Sequence, residues 1–285
     1  MDQDAPPLAP ARVIVGTDGS MSALRAVTWA ATEARLRDTG LQIVHAAPYA
    51  DSPAARRHAD GILGRARTVA RRDVPGVPVR TRVLDASPAR ALAGVADDAE
   101  LLVVGMISEH AADVLIGSVA TTVAATAPCA VAVVRGHRQA NSASRPVLLA
   151  VADPVTDRSA IDVAFADAER HGTGLIVVHA TSDHAAAAHL ERSLEPWRDR
   201  HPGTPVEIRT DHGSVISVLL GATARARLVV TGRHSHGAVA RAVLGSTSRD
   251  LVRLSPCPVL VVPRLVAAPS PATSPASISE AEGAR

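Results

Sequence analysis

Glycines and hydroxyl side chains that could hold a phosphate group follow an apolar, strand-like run in the last quarter of the chain. The run ends at Gly232, Arg233 follows, and a helix should begin near Gly245-Ser246-Thr247. Glycine lets backbone N–H groups approach an anion closely, and the positive end of a helix dipole attracts the anion. Another strand-like run ends in an acid, Asp153. In an open parallel sheet these strand ends lie at one edge, so the pattern predicts a phosphate site there.

The same series of motifs occurs twice in the chain. Ordered matches recur at offsets of 127 to 135 residues, which indicates an internal duplication of domain size rather than a solenoid repeat. The corresponding residues are Asp18 and Asp153, Gly105 and Gly232, and Gly117-Ser118 and Gly245-Ser246. Hereafter the two repeats are called the first copy and the second copy.

Within each copy, short runs of Val, Ile and Leu alternate with alanine-rich segments of helical length. Uninterrupted apolar strands are buried on both faces, which is typical of a parallel sheet covered by helices. We therefore predict an α/β fold of two tandem doubly wound domains, each a five-stranded parallel sheet flanked by helices. The opening helices are expected from Ser22 to Arg37 and from Asp157 to Arg170, closed by Gly40 and Gly172.

The last strand of each copy would otherwise be an exposed apolar edge. These strands, predicted from Ala130 to Val134 and from Val259 to Val262, are expected to meet across an approximate two-fold axis because bare edges invite unwanted pairing. The chain would then be an intramolecular pseudo-dimer, and a homodimer of such chains is left open.

Composition shifts suggest the domain boundaries. We assign residues 1–10 to a disordered N-terminus, 11–137 to the first domain, 138–145 to a polar linker, and 146–264 to the second domain. Residues 265–285 are rich in Pro, Ser and Ala without a period, which predicts a disordered tail.

All 30 basic residues are arginine, and the chain contains no lysine. A Walker A loop needs a lysine on the phosphates, and Schiff-base enzymes need a lysine amine. The composition therefore excludes P-loop, pyridoxal phosphate and class I aldolase chemistry.

The charge and hydropathy of the chain limit the kinds of partner that it is expected to bind. A net charge of +2 and an aromatic content of 1% provide neither a basic field nor stacking platforms for nucleic acid. The start of the chain lacks a signal-peptide pattern, and no apolar stretch reaches the roughly 18 residues of a membrane span. We expect a cytoplasmic protein with no nucleic-acid or membrane partner, and two reduced, buried thiols at Cys129 and Cys257.

The motifs together resemble the universal stress protein family, whose nucleotide-binding members carry G-x2-G-x9-G-S/T after the fourth strand. Further short motifs typical of the family occur in the same order, and most of them occur in both copies. They are Val15-Gly-Thr-Asp-Gly-Ser20, the Val-His pairs at Val44-His45 and Val178-His179, and the closing Pro256 to Val259. The resemblance implies a Rossmann-like fold of the adenine nucleotide alpha hydrolase type and a site for ATP, with or without Mg²⁺.

The resemblance also implies roles for individual residues. The strand 1 acid lies near the nucleotide and its metal, the glycine loop and the following hydroxyls hold the phosphates, and the end of strand 2 lines the adenine. In the second copy these are Asp153, His179, Ala180, Thr181, Gly232, Arg233, Gly245, Ser246 and Thr247. In the first copy they are Asp18, Gly19, Gly105, Gly117 and Ser118.

Both copies depart from the family pattern. Serine replaces the second glycine at Ser108 and Ser235, and the first-copy loop is one residue short. That loop also carries acids, whereas the second copy has Arg233 and Arg241 in the corresponding stretch. The second copy in turn has Pro154-Val155 where the first has Gly-Ser. On balance we expect the C-terminal site to be the stronger nucleotide site.

Simpler structural roles stand beside these assignments. Asp18 and Asp153 could cap the following helices, the glycines could be ordinary turns, and His45 and His179 could be purely structural. We expect no metal held by the protein's own side chains, and no catalytic triad is apparent from the spacing.

The sequence thus favours an ATP-binding regulatory protein of the stress response without fast turnover, read by protein partners that the sequence does not name. One alternative is an interaction module of the same fold that has lost nucleotide binding. Another is a slow ATPase or adenylyl transferase, in which Arg233 and Arg241 would supply the positive charge.

Overall fold

The structure is a computed structural model that describes residues 11–48, 52–106, 118–135, 144–181, 183–211, 213–233 and 244–264. The predicted disordered ends, 1–10 and 265–285, lie outside the described residues, as does most of the predicted linker. The same holds for residues 107–117 and 234–243, which include Gly117 and Arg241.

The described residues of the first copy form five strands and four helices in alternation. They are β1 (Ala11–Gly16), α1 (Met21–Leu36), β2 (Gly40–Ala46), α2 (Pro53–Asp73), β3 (Val79–Leu84), α3 (Pro88–Ala93), β4 (Leu101–Met106), α4 (Ser118–Thr126) and β5 (Ala130–Arg135).

The second copy repeats this order. Its elements are β6 (Val147–Ala150), α5 (Arg158–Arg170), β7 (Leu175–Ala180), α6 (His184–Arg200), β8 (Val206–Asp211), α7 (Val215–Thr223), β9 (Leu228–Gly232), α8 (Ser246–Leu254) and β10 (Val259–Val262).

The ten strands given above form one sheet, in the order β3-β2-β1-β4-β5-β10-β9-β6-β7-β8. The pairings within each copy are parallel, and the predicted doubly wound fold is confirmed. The predicted meeting of the last strands is confirmed as well, because β5 and β10 pair antiparallel with Leu260 opposite Ala132. The antiparallel junction directs the carboxyl ends of the two sets of strands toward opposite edges of the sheet.

The opening helices begin close to the predicted positions. Ser20 caps α1 by accepting the Ala23 N–H through Oγ, at 3.2 Å, and Asp157 occupies the N-cap position of α5. The predicted role of Gly40 is wrong, because Gly40 is already the first residue of β2 and pairs with Ala11. Asp38, at φ 49°, takes the left-handed conformation after α1, a position that aspartate tolerates better than most residues. Gly172, at φ 60°, does close α5.

Each face of the sheet carries one apolar core that runs through both copies. One core lies beneath α1, α2, α5 and α6, and includes Phe165, Leu149 and Leu260. The other lies beneath α3, α4, α7 and α8, and includes Leu102, Leu148 and Leu251. Burial of these side chains on both faces explains why the strands are continuously apolar.

Buried charged side chains connect α1 to the end of α5. Arg37 Nη2 donates to Asp167 Oδ1 at 2.7 Å, and Arg37 Nη1 donates to Glu33. At the pseudo-equivalent positions, His171 Nε2 lies 3.2 Å from Glu33 Oε1, close enough for an ion pair although poorly aligned for a hydrogen bond. The four side chains are between 0% and 4% exposed. This set of four is called the seam cluster below.

The pKa values of the two acids in the seam cluster are shifted in opposite directions. Burial raises the pKa of Asp167, even though Arg37 and Arg170 oppose the shift. Burial also acts to raise the pKa of Glu33, but the adjacent His171 and Arg37 outweigh it, so the pKa of Glu33 is lowered. Buried ion pairs contribute little net free energy, yet removing one partner is costly because the other charge stays desolvated.

We expect Arg37→Met to lower the free energy of unfolding by about 3–5 kcal/mol at pH 8, because Asp167 would lose its main cation. The loss should shrink toward pH 5. Arg37 acts to lower the pKa of Asp167, so its removal raises this pKa further. An acid with a raised folded-state pKa stabilises the fold as the pH falls, and the variant therefore gains more stability than wild type. Urea unfolding at both pH values measures the effect. The control is Arg72→Met, which removes an exposed pair with Asp73; equal losses in the two variants would contradict the prediction.

The two cysteines provide a second test of the core. Burial raises the pKa of both Cys129 and Cys257 to about 11. Only the thiolate reacts readily, so iodoacetamide labelling of the folded protein should be slow at pH 7 and should keep rising well beyond pH 9. Cys129, which is partly exposed, should react before the buried Cys257. Urea-unfolded protein serves as the fully reactive control, and rapid labelling of the native protein at pH 7 would refute a structural role.

Candidate functional site

A cavity of about 250 Å³ lies in the first copy, at the carboxyl ends of β1, β2 and β4. The strand order reverses between β1 and β4, and such a reversal opens the crevice in which doubly wound folds bind ligands. The N-terminal turns of α1 and α4 and one side of α3 complete the walls. Most of the lining is apolar, for example Val44, Leu92 and Val104.

The turn between β1 and α1 forms the polar end of this cavity. Asp18 lies on it and accepts the Ser20 N–H through Oδ1 at 2.9 Å. Gly19 adopts φ 83°, which an L side chain rarely takes, and its N–H donates to Thr17 Oγ1 at 3.2 Å. The Gly19 carbonyl accepts Arg65 Nη2 at 3.2 Å. The turn is thus held by its own side chains and by α2.

Gly105 has a steric role at the end of β4. A Cβ atom there would lie 2.8 Å from the Ser22 carbonyl oxygen and 2.9 Å from the Ala23 backbone. Real Cβ atoms do not make such contacts, so glycine is needed for α1 to pack on β4. Gly105 therefore forms part of the cavity floor and also sets the height of the α1 terminus above it.

The histidines at the ends of β2 and β7 make the same bond in both copies. His45 Nδ1 lies 2.8 Å from the Thr17 carbonyl oxygen, and His179 Nδ1 lies 2.9 Å from that of Val151. A carbonyl oxygen only accepts, so Nδ1 carries the proton in each ring. Both side chains fix the loop after the first strand of their copy, and the predicted place of His179 at the adenine edge stays a prediction. Ala180 ends β7, and Thr181 Oγ1 accepts the Asp183 N–H at 3.1 Å.

The corresponding turn of the second copy is built differently. Asp153 Oδ1 accepts the N–H groups of Val155 and Thr156, and the Thr156 N–H contributes most to a lowered pKa of Asp153. Asp157 is buried, and its Oδ2 accepts the N–H groups of Ala152 and Asp153 at 2.8 and 3.1 Å. The carboxyl groups of these two acids therefore already accept four backbone N–H groups of this turn.

The predicted phosphate end of the second copy lies around the start of α8. Gly245 is the N-cap residue, and Ser246, which is exposed, and Thr247 open the helix. Ser248 Oγ donates to the Gly232 carbonyl at 2.8 Å, which joins the first turn of α8 to the end of β9. In the first copy, α4 begins at Ser118.

Arg233 points toward the other copy. Its Nη1 donates to the Ala127 carbonyl at 2.7 Å, and its backbone N–H donates to Val262. Partial burial lowers the pKa of this guanidinium. The predicted contact of Arg233 with a nucleotide stays a prediction, and the structure adds a contact between the copies.

Three residues beside the predicted site were missed by the sequence reasoning. They are Asp157, Ser248 and Arg65. Ser248 directly follows the Ser246-Thr247 pair, so the sequence pattern could have indicated it. Asp157 aligns with Ala23 at the offset of 134 residues that also relates His179 to His45, so the repeat could have indicated this acid. Arg65 lies in the middle of a helix, and no local pattern indicates that it reaches Gly19.

Metal and membrane features can be assessed for the described part of the chain. It contains no group of three side chains suited to hold a metal ion. None of its helices has the length and apolar character of a membrane span.

We expect Arg233→Met to lower the free energy of unfolding by about 1–3 kcal/mol, since the Ala127 carbonyl would lose a charged donor. Chemical denaturation measures this loss, and the exposed Arg225→Met is the matched control. A variant of unchanged stability that loses affinity for a nucleotide would instead assign the guanidinium to the ligand.

Comparisons with known proteins agree with this architecture. The profile of the universal stress protein family matches residues 11–135 and 181–263. A universal stress protein of Mycolicibacterium smegmatis is 30% identical, with 88% of this chain and 96% of that protein covered. One from Mycobacterium tuberculosis is 28% identical, with 87% and 96% covered.

A solved structure supports the fold over both copies. The crystal structure of a universal stress protein from Archaeoglobus fulgidus matches with a TM-score of 0.75 at 18% identity, covering 89% of this chain and 99% of that one. At this identity the likeness concerns the fold alone. The profile matches, which span well over half of the sequence, show that this chain belongs to the universal stress protein family.

Proposed function

We propose that the chain is a regulatory protein that binds an adenine nucleotide such as ATP, with or without Mg²⁺, and has no fast turnover. The observation that carries the adenine-binding part of the proposal is the apolar cavity of about 250 Å³ at the strand reversal of the first copy. An apolar crevice with a few polar groups at one end suits a purine base with its ribose. A cytoplasmic location and unidentified protein partners remain part of this proposal.

The phosphate-binding part of the proposal rests on the second copy. Gly245, Ser246 and Thr247 lie at the N-terminus of α8, which is a favourable place for phosphate oxygens. Arg249 follows within the first turns, and its Nη2 donates to the Leu244 carbonyl at 3.0 Å. The turn after β6 works against this site, since Asp153 and Asp157 bring acidic groups there. The preference of ATP for the second copy therefore stays a prediction.

The regulatory assignment rests on what the sequence lacks. Phosphoryl transfer in kinases and P-loop enzymes uses a lysine to stabilise charge on the transferring group, and this chain has none. A bound nucleotide would then act by shifting the populations of protein states rather than by being consumed.

Calorimetric titration of ATP into two single variants tests the site assignment. Gly245→Val places a branched side chain at the phosphate end, and φ −57° at this position is accessible to any residue, so the fold should survive. We expect this variant to lose ATP binding at least tenfold. Ala23→Asp transfers the Asp157 equivalent into the first-copy cavity and should leave ATP binding unchanged.

Mass spectrometry of denatured wild-type protein for retained nucleotide completes the test. If wild type neither retains nor binds any adenine nucleotide, the proposal fails and an interaction module of the same fold replaces it. Phosphate release well above background would instead indicate a slow ATPase. Loss of ATP in Ala23→Asp but not in Gly245→Val would reverse the assignment of the site.

A further inference from the structure

We infer that the first-copy cavity selects an adenine nucleoside with at most one phosphate, adenosine or AMP, and discriminates against ATP. The inference rests on the proposed function for the adenine part of the ligand. It goes beyond that function because it assigns a ligand with at most one phosphate to the first copy and a triphosphate to the second.

The first argument is the supply of backbone donors. A phosphate cradle needs several N–H groups that are free to converge on one anion. In the turn between β1 and α1, the N–H of Gly19 donates to Thr17 Oγ1 and that of Ser20 donates to Asp18 Oδ1. The Ala23 N–H donates to Ser20 Oγ. Two donors of the turn and one of the first turn of α1 are thus already used within the protein.

The second argument is charge. Among the described residues that line the cavity there is no arginine, and Asp18 is the one acidic side chain. Arg65 lies beside the turn between β1 and α1, and its guanidinium is bonded to the Gly19 carbonyl. The two helix N-termini at the cavity, those of α1 and α4, add roughly half a positive charge each. This balance tolerates one phosphate but opposes the several negative charges of a triphosphate.

The third argument is size. As bounded by the described residues, the cavity measures about 250 Å³, just below the roughly 300–1,000 Å³ of pockets that hold drug-sized ligands. A base and ribose fill such a space. Each further phosphate would add negative charge near the Asp18 carboxylate, which lines the polar end of the cavity.

The second copy shows how this cavity depends on one small residue. Ala23 lines the cavity, whereas the pseudo-equivalent Asp157 is buried and folds back onto the amides of Ala152 and Asp153. Introducing the acid in the first copy should fill the cavity, and because Ala23 is buried the variant has to be checked for folding. Position 23 is the third residue of the helix, where an acid interacts favourably with the dipole.

Titration of adenosine, AMP and ATP with Mg²⁺ into Gly245→Val tests the inference in the full-length chain, with the second-copy site blocked. We expect adenosine and AMP to bind at least tenfold more tightly than ATP. Ala23→Asp should bind adenosine and AMP at least tenfold more weakly, while its circular dichroism spectrum stays that of the folded wild type. Asp18→Asn keeps the oxygen that accepts the Ser20 N–H, so it should strengthen ATP several-fold and leave adenosine unchanged.

Two results would overturn the inference. One is ATP binding to Gly245→Val as tightly as adenosine does. The other is a wild-type protein that binds ATP but neither adenosine nor AMP, in which case the proposed function survives and the ligand class of the first copy is wrong. Adenosine or AMP binding in a protein that never binds ATP would instead support the inference and contradict the ATP part of the proposed function.

Discussion

Backbone pairing between β5 and β10 is the constraint on which the rest of the structure depends. A doubly wound sheet leaves its last strand with an unpaired row of N–H and C=O groups, and here both last strands are apolar and buried. Antiparallel pairing of Val131–Val133 with Val259–Val261 satisfies both edges at once. The two sheets become one, and the apolar layers on either face become continuous between the copies.

This pairing also explains where charge is buried. Once the last strands join, α1 and α5 lie over the same core, and their C-terminal ends meet near the pseudo-two-fold axis. Polar side chains at these positions cannot reach water, so they have to pair with each other. Arg37 meets Asp167, and His171 meets Glu33. The seam cluster is thus a consequence of the junction rather than its cause, since buried ion pairs add little net stability.

Much of the fold could be predicted from the sequence because its signals are local and repeated. Apolar runs predicted the strands, and alanine-rich segments of helical length predicted the opening helices. The prediction for Gly40 was wrong because a glycine just after a helix usually ends that helix. Here Asp38 takes the left-handed conformation instead, and Gly40 is the first residue of β2. The local pattern cannot separate these two cases, since both residues tolerate a positive φ.

The site was less predictable, because its shape depends on contacts between distant segments. The sequence reasoning correctly placed Asp18 and Gly105 at strand ends that meet in one crevice. It could not show that Arg65 reaches Gly19 from the middle of α2, nor that Arg233 crosses to Ala127. Long arginine side chains can adopt many directions, and only the packed neighbours decide among them.

Fusing the two copies in one chain changes how the interface between them can evolve. In a dimer of identical subunits a two-fold interface contains every residue twice, so each substitution alters two contacts at once. In this chain, positions 37 and 171 are related by the pseudo-two-fold axis yet hold arginine and histidine, and positions 33 and 167 hold glutamate and aspartate. Each substitution changes a single contact, so a moderately harmful mutation costs roughly half of what it would cost a symmetric dimer. The two halves can therefore diverge in small, separately tolerable steps while the sheet that joins them persists.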